Sequence, residues 1–484
     1  MSLSQLVPES FWRHFEGLCQ IPRPSGHEAR VSEWIQGYAD RKGLQCIKDE
    51  AGNLIIRKPA RKGKEHIPGI VLQGHLDIVP QKEPDSLHDF KMDPIETLIE
   101  GDWVTANGTT LGADNGAGVA AALAILDDPY LQHGPLEVLL TVNEEDGMDG
   151  AFGLKPNLLQ GKYLLNLDSE DEGEVYVGCA GGVDVTVTSS LEQQPLAPEF
   201  IPVKLSVSGL KGGHSGININ SGRISAIKLM VRLLRKLQSI DFRLVSMDGG
   251  GLRNAIPSTA DVVVAVTASK VAEFQQLVQS VFASIASESS ISEPNMQLQA
   301  EMIDRDIELF GLHMVEQRKF LQVMHAVQNG VQQMSDEVAG VVETSSNIGI
   351  VKLKKGELQV FSLVRSLKDS ARQNLAESIA DCFRLMNADV AFEGAYPGWQ
   401  PRVSSGLLTQ FQAVHQRLFN QPAKVKVIHA GLECGIFSAA YPAMEMISIG
   451  PTIKYPHSPA EKMSISSVQQ FWTLLSATLE SIDR

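Results

Sequence analysis

The chain has 484 residues, 43% apolar and 20% charged, which is too long for one ordinary core and predicts two domains. Its formal charge of −15 opposes nucleic acid and anionic membrane as partners, since both need a basic footprint. The opening MSLSQLVPESFWRHFEGL lacks a basic segment followed by an apolar core, and no stretch reaches the roughly 18 apolar residues of a membrane span.

Five scattered cysteines (Cys19, Cys46, Cys179, Cys382, Cys434) form no CxxC pair. That pattern fits a reducing compartment and argues against both a disulfide framework and a thiolate metal site. A cytoplasmic location is the expectation.

In chain order, RVSEWIQGYADRKG is an amphipathic helix closed by Gly43, GIVLQGHLDIV a strand and NGAGVAAALAILDD a helix. PLEVLLTV, from Leu136 through Val142, and KYLLNLDSE are further strands. Such alternation implies a mostly parallel sheet with helices on both faces, an α/β fold. From 188 to 398 the grammar changes. PVKLSVSGL and ADVVVAVTA alternate with period two, ISAIKLMVRLLRKLQ has helical spacing, and the order reads strand-helix-strand-strand-helix-strand. From about 306 a further helix, two strands, a helix and a strand follow, consistent with two similar halves. The last 85 residues return to the first style, with LLTQFQAVHQRLF a helix, KVKVIHA and EMISIG strands, and a closing helix from Ser467. The expected organisation is a split α/β catalytic domain, 1–187 and 399–484, with an inserted α+β domain over 188–398.

LLTVNEEDGMDG places Glu144 and Glu145 side by side after an apolar strand. Neighbours at a strand end point to opposite sides, so these two acids are expected to have different partners. Four other strand or loop ends carry similar groups: His75 and Asp77 in LQGHLDIV, Asp114 in TTLGADNGAG, Asp168 in LLNLDSEDEG, and His457 in IKYPHSPAEK. The carboxyl ends of strands in an open α/β sheet line its ligand crevice. Nitrogen and oxygen donors without thiolate suit two divalent metal ions: zinc first, with cobalt or manganese compatible. Asp114 is the natural bridge between two ions, with His75 and Asp168 on one and Glu145 and His457 on the other. Two divalent ions carry +4, and three carboxylates with one hydroxide carry −4. Asp77, two residues from His75, is placed to orient the imidazole. Glu144 is left without a metal, free to take a proton from the attacking water and hand it to the leaving amine.

GHLD, TTLGADNG, NEEDGMDG, NLDSE and PHSP resemble the motifs of the co-catalytic zinc aminoacylase and carboxypeptidase family, over essentially the whole chain. Within it CAGG, LKGGHSG, LRNAIP, EGAYPGWQP and HAGLECG are similar to the aminoacyl-histidine dipeptidase branch. The resemblance implies hydrolysis of Xaa-His dipeptides, β-alanyl-histidine included, by the five ligands above with Asp77 and Glu144 catalytic. It further implies a cis peptide between Asp114 and Asn115, an inserted domain acting as a lid, and substrate contacts from His214, Asn254, Arg365 and Glu433. In that reading Arg365 holds a carboxylate by two hydrogen bonds, His214 donates to an oxyanion, and Glu433 faces substrate or shapes its loop. A homodimer is compatible with it. The metal motifs alone do not separate a dipeptidase from an N-acyl amino-acid deacylase, and a non-catalytic scaffold is opposed by the intact Glu144.

Overall fold

The computed structural model describes residues 2–304 and 308–482. The outermost residues of the expected domains, 1, 483 and 484, lie outside that range, as does the approximate start at 306 of the further helix. That helix runs Met314–Ala326. The chain divides into two compact units. One comprises the residues up to Gly178, Trp399–Val427 and those from Leu432 onward; the other comprises Cys179–Gly398 with Ile428–Gly431.

The outer unit is built on an eight-stranded sheet. Its order is Gln45–Lys48, Leu54–Lys58, Leu136–Thr141, Ile70–His75, Tyr163–Asn166, Glu445–Ser448, Glu174–Cys179 and Lys424–Ile428. The four central strands, Leu136–Thr141 to Glu445–Ser448 in that order, run parallel, while the neighbours towards the Gln45–Lys48 edge are antiparallel. Ile70–His75 and Leu136–Thr141 are buried at every residue, which is why they read as continuous apolar runs rather than alternating ones. The helix Ala29–Lys42 ends at Gly43, whose φ of 67° only glycine adopts without strain.

The helix Ala113–Asp127 carries Asp114 at its start, and Asp114 and Asn115, joined by a cis peptide, depart from helical angles. Its small residues bring it close to the sheet. A Cβ on Gly74 or Gly118 would stand 2.3 Å from Asn115 Oδ1, so these glycines make the room in which Asn115 Nδ2 donates to the Leu167 carbonyl.

The inserted unit is a nine-stranded sheet with helices. Its main path runs Gln297–Met302, Phe200–Ser208, Ala260–Thr267, Phe242–Gly249, Val342–Lys354, Glu357–Ser366, Gly181–Ser190 and Asp389–Tyr396, with Gly330–Met334 added beside Val342–Lys354. Two halves share one strand-helix-strand-strand-helix-strand order. The first runs from Phe200 to Met302; the second takes Gly181–Ser190 as its first strand and resumes at the helix Met314–Ala326. The second strands of the two halves pair with each other, Met247 opposite Leu353 and Gly249 opposite Val351.

This placement corrects the boundary expected at 187/188. Gly181–Ser190 pairs on one side with Glu357–Ser366 and on the other with Asp389–Tyr396, so a cut there would split a central strand of the second unit. The closing helix begins at Ile465 rather than Ser467, with Ser464 accepting from the Ser467 N–H as its cap. Among the described residues, no helix is long and apolar enough to cross a membrane.

Candidate active site

His75, Glu144, Glu145 and Asp168 sit at or just after the ends of three neighbouring parallel strands. Asp114 instead opens the helix Ala113–Asp127, and His457 follows the short strand Ile453–Lys454 of a separate antiparallel sheet. His75 is the last residue of Ile70–His75, and Asp77 follows in the bend after it. The strand before Glu144 ends at Thr141, and Asn143, at a φ of 53°, turns the chain into a short helix, Glu144–Gly147. The two acids therefore diverge because they are successive helical residues, not because a strand alternates. Likewise, the bend rather than strand pleating brings Asp77 back to His75.

Two groups of donor atoms share Asp114. His75 Nε2 lies 3.0 Å from Asp114 Oδ1 and 3.3 Å from Asp168 Oδ1. His457 Nε2 lies 3.0 Å from Asp114 Oδ2 and 2.9 Å from Glu145 Oε1. Atoms about 2.0–2.1 Å from one tetrahedral ion stand about 3.3 Å apart, so each triad has nearly the spacing of a ligand set. The buried Glu145 Oε1 and Asp168 Oδ1 make no geometrically sound hydrogen bond despite these short approaches, as atoms aimed at a common point would. Nitrogen and oxygen donors without sulfur suit a divalent ion such as zinc, and the residues present fit one in each triad.

Charge supports the same conclusion. Burial pushes the Asp168 carboxyl up to about 7 and holds Glu144 and Glu145 above the usual carboxylate range. The adjoining Asp114 and Glu145 carboxylates push His457 up to about 11. Carboxylates this densely buried need positive charge among them.

Asp77 is fully buried and well partnered. Its carboxylate accepts from Ser25 Oγ at 2.8 Å, Glu144 N at 3.0 Å and Glu145 N at 3.2 Å, and its Oδ1 lies 3.4 Å from His75 Nδ1. Although burial opposes it, the His75 contact and these hydrogen bonds hold its pKa at about 2. Asp77 thus meets the imidazole Nδ1 with its backbone carbonyl at 3.2 Å as well as its carboxylate, and the carboxylate ties down the backbone of both neighbouring glutamates. Ser25 was not among the residues read from sequence; a serine in a Pro-Ser-Gly turn gives no signal of its own.

Glu433 is held inside the outer unit by one of its two oxygens. It is 0% exposed, and its Oε2 accepts from Gln73 Nε2 at 2.6 Å and Thr141 Oγ1 at 2.8 Å. Through that oxygen it links the strands Ile70–His75 and Leu136–Thr141.

In the inserted unit, His214 and Arg365 meet. His214 Nδ1 accepts from the N–H groups of Gly216 at 3.2 Å and Ile217 at 3.1 Å, so its proton is on Nε2. Burial and the Arg365 charge lower its pKa to about 4, leaving a neutral ring. Nε2 lies 3.4 Å from Arg365 Nη2, and Arg365, 5% exposed, has its Nη1 on Tyr396 Oη at 2.7 Å. Two donors face each other there with no acceptor between them, an arrangement that suits an anion. Asn254 is exposed one residue from Ala255, which pairs with His214. The flanking carbonyls of Arg253 and Ala255 are held by Asn347 Nδ2 at 3.1 and 2.8 Å. His429, bonded to Ser345 Oγ at 2.7 Å, and Tyr396 were not singled out, although HAGLECG and EGAYPGWQP contain them.

Residues 71–481 match the profile of peptidase family M20/M25/M40. The chain belongs to that family. It is 46% identical over 481 residues, 99% of each chain, to the cytosol non-specific dipeptidase of Escherichia coli K12. The crystal structure of the aminoacylhistidine dipeptidase from Vibrio alginolyticus superposes with a TM-score of 0.92 at 44% identity, covering 100% of this chain and 98% of that one. Aminopeptidase PepT from Bacillus cereus shares the fold, with a TM-score of 0.58 at 16% identity over 99% of this chain and 100% of its own. This M20/M25/M40 peptidase thus falls in the family read from its metal motifs.

Proposed function

We propose that the protein is a cytosolic dipeptidase that hydrolyses Xaa-His dipeptides, β-alanyl-histidine among them. The observation that carries this reading is the pair of donor triads sharing Asp114, with Glu144 beside them, grouped with His75 and Glu145. Two zinc ions, held by His75, Asp114 and Asp168 and by His457, Asp114 and Glu145, would polarise the scissile carbonyl and acidify the attacking water.

The chain's own groups do the rest. Asp77 fixes the His75 ring and the backbone of Glu144. Glu144 accepts a proton from the attacking water and passes it to the leaving amine. The Nε2–H of His214 donates to the carbonyl oxygen as negative charge develops, Arg365 takes the terminal carboxylate, and Asn254 contacts the substrate beside them.

A second reading, with the same chemistry and a broader choice of C-terminal residue, is favoured by the E. coli relative's description as non-specific. A panel of Xaa-His, Xaa-Gly and Xaa-Leu dipeptides with N-acetyl-histidine, assayed after chelation and reloading with Zn²⁺, Co²⁺ or Mn²⁺, tests both. A preference for Xaa-His supports the first and uniform cleavage of dipeptides the second. Cleavage of N-acetyl-histidine alone overturns both.

A further inference from the structure

IKYPHSPAEK carries a second acid, Glu461, four residues after His457. It is 2% exposed, and no cationic side chain is within salt-bridge distance of it among the described contacts. Its two oxygens are instead filled by backbone. Oε2 accepts from the N–H groups of Leu111 at 2.7 Å and Gly112 at 2.9 Å, and Oε1 from Ala113 at 2.8 Å and Asp114 at 3.1 Å. Four successive amides converge on one carboxylate, and the last belongs to the residue shared by both donor triads.

Arg23 grips the same loop from its carbonyl side. Also 2% exposed, it donates from Nη2 to the Gly112 carbonyl at 2.8 Å and from Nη1 to the Leu76 carbonyl at 2.8 Å. Leu76 lies between His75 and Asp77. Gly112, with a φ of 69°, has no room for a side chain: a Cβ there would stand 2.8 Å from Ile78 and 3.1 Å from Arg23 Nη2. Gly112 is therefore held through its N–H by Glu461 and through its C=O by Arg23.

We infer that Glu461 and Arg23 are positioning residues that set Asp114 against His75, fixing the spacing between the two ligand sets. An ordinary helix cap explains only part of this arrangement. The helix begins at Ala113, and the amides of Leu111 and Gly112 precede it, so half of the hydrogen bonds serve the loop. The Arg23 contact to Leu76 ties that loop to the strand end carrying the other ligand. A carboxylate held by several N–H groups is also rigid, because moving it breaks all four bonds together. The inference rests on the dimetal reading above.

The test compares metal binding by chelator-stripped wild type, Glu461→Gln, Arg23→Lys and Asp127→Asn, titrated with Zn²⁺ against a chromophoric competitor. Gln is nearly the size of Glu but turns an NH₂ towards two of the four amides. Its expected effect is a loss of about 10–100-fold in affinity for at least one ion, the range typical of groups that support metal ligands, with KM unchanged at saturating metal. Arg23→Lys, which cannot span both carbonyls, is expected to weaken affinity in the same direction. Asp127 accepts from His14 Nε2 at 2.9 Å and Tyr38 Oη at 2.7 Å in a separate buried cluster. Asp127→Asn is expected to lower the melting temperature and leave affinity intact.

Wild-type affinity in Glu461→Gln overturns the inference, as does an equal loss of affinity in Asp127→Asn, which would reduce the effect to general stability. If Glu461→Gln does not fold, Glu461→Asp and Arg23→Lys are read by the same criterion. Fewer than two ions bound by wild type would instead overturn the dimetal reading itself.

Discussion

The two units hold their functional groups by opposite electrostatic means. In the outer unit, buried carboxylates collect the backbone amides of the loops that carry the ligands. Asp77 holds Glu144 and Glu145, Glu28 holds Gly26 and Asn143, and Glu461 holds residues 111–114. In the inserted unit, neutral partners hold the donors: backbone amides hold His214, a tyrosine hydroxyl holds Arg365, and a serine holds His429. A region rich in buried acid is prepared for cations, whereas one with converging donors and no acid between them is prepared for an anion. The difference shows which kind of charge each unit is built to receive.

The largest effect should come from Glu144→Gln. On the proposed assignment it removes the proton carrier and keeps every ligand, so both ions should remain bound while kcat falls by about 10²–10⁴-fold. Elemental analysis beside steady-state kinetics checks this, and near-normal turnover with normal metal would end the assignment. On the proposed assignment, His214→Ala removes one donor to an oxyanion that exists mainly in the transition state. The expected loss is about 10²–10³-fold in kcat with a smaller change in KM. A change confined to KM would make His214 a ground-state contact.

A smaller effect tests the anion side directly. Arg365→Ala and C-terminal amidation of an Xaa-His substrate should each lower kcat/KM by about 10–100-fold, the worth of a charged hydrogen-bonded contact. Applied together they should cost little more than either alone, because both remove one interaction. Independent multiplication of the two losses would take the carboxylate away from Arg365.

The last effect concerns stability and spares the chemistry. Burial, with Arg365 and His214 nearby, lowers the His429 pKa from 6.5 to about 3. The unfolded chain then binds a proton more readily than the folded one. This contribution to stability is intact above pH 6.5 and declines as pH falls towards 3. At about pH 4 the difference amounts to about 3 kcal/mol. His429→Gln should flatten the acid limb of a melting-temperature profile, and an unchanged slope would show that His429 titrates elsewhere.

Much of the outer unit was legible in the sequence because burial on both faces leaves continuous apolar strands, with chemistry-bearing residues punctuating their ends. The five predicted ligand residues fall in two of three donor groups, and the third joins Glu144 to His75 and Glu145. What could not be read was the local path of the chain. Asn143 turns the backbone into a helix where a strand end was expected, and the boundary at 187 cut a strand whose alternation, VDVTVTSS, was nonetheless visible. Glu461 and Ser25 escaped because their partners are backbone amides or a residue far away in sequence, and neither leaves a pattern. Glu433 was grouped with substrate contacts on its motif alone; only tertiary structure places it against Gln73 and Thr141.

The position of His457 has a consequence for biosynthesis. The outer sheet needs Glu445–Ser448 beside Tyr163–Asn166, and the second triad needs His457, with Glu461 holding its shared aspartate. A nascent chain that has completed the whole inserted unit still lacks these pieces. Closing a gap of hundreds of residues is a late and slow step in folding. The proposed metal centre therefore cannot be completed until residues 445–461 have been made, and a shorter nascent chain lacks it.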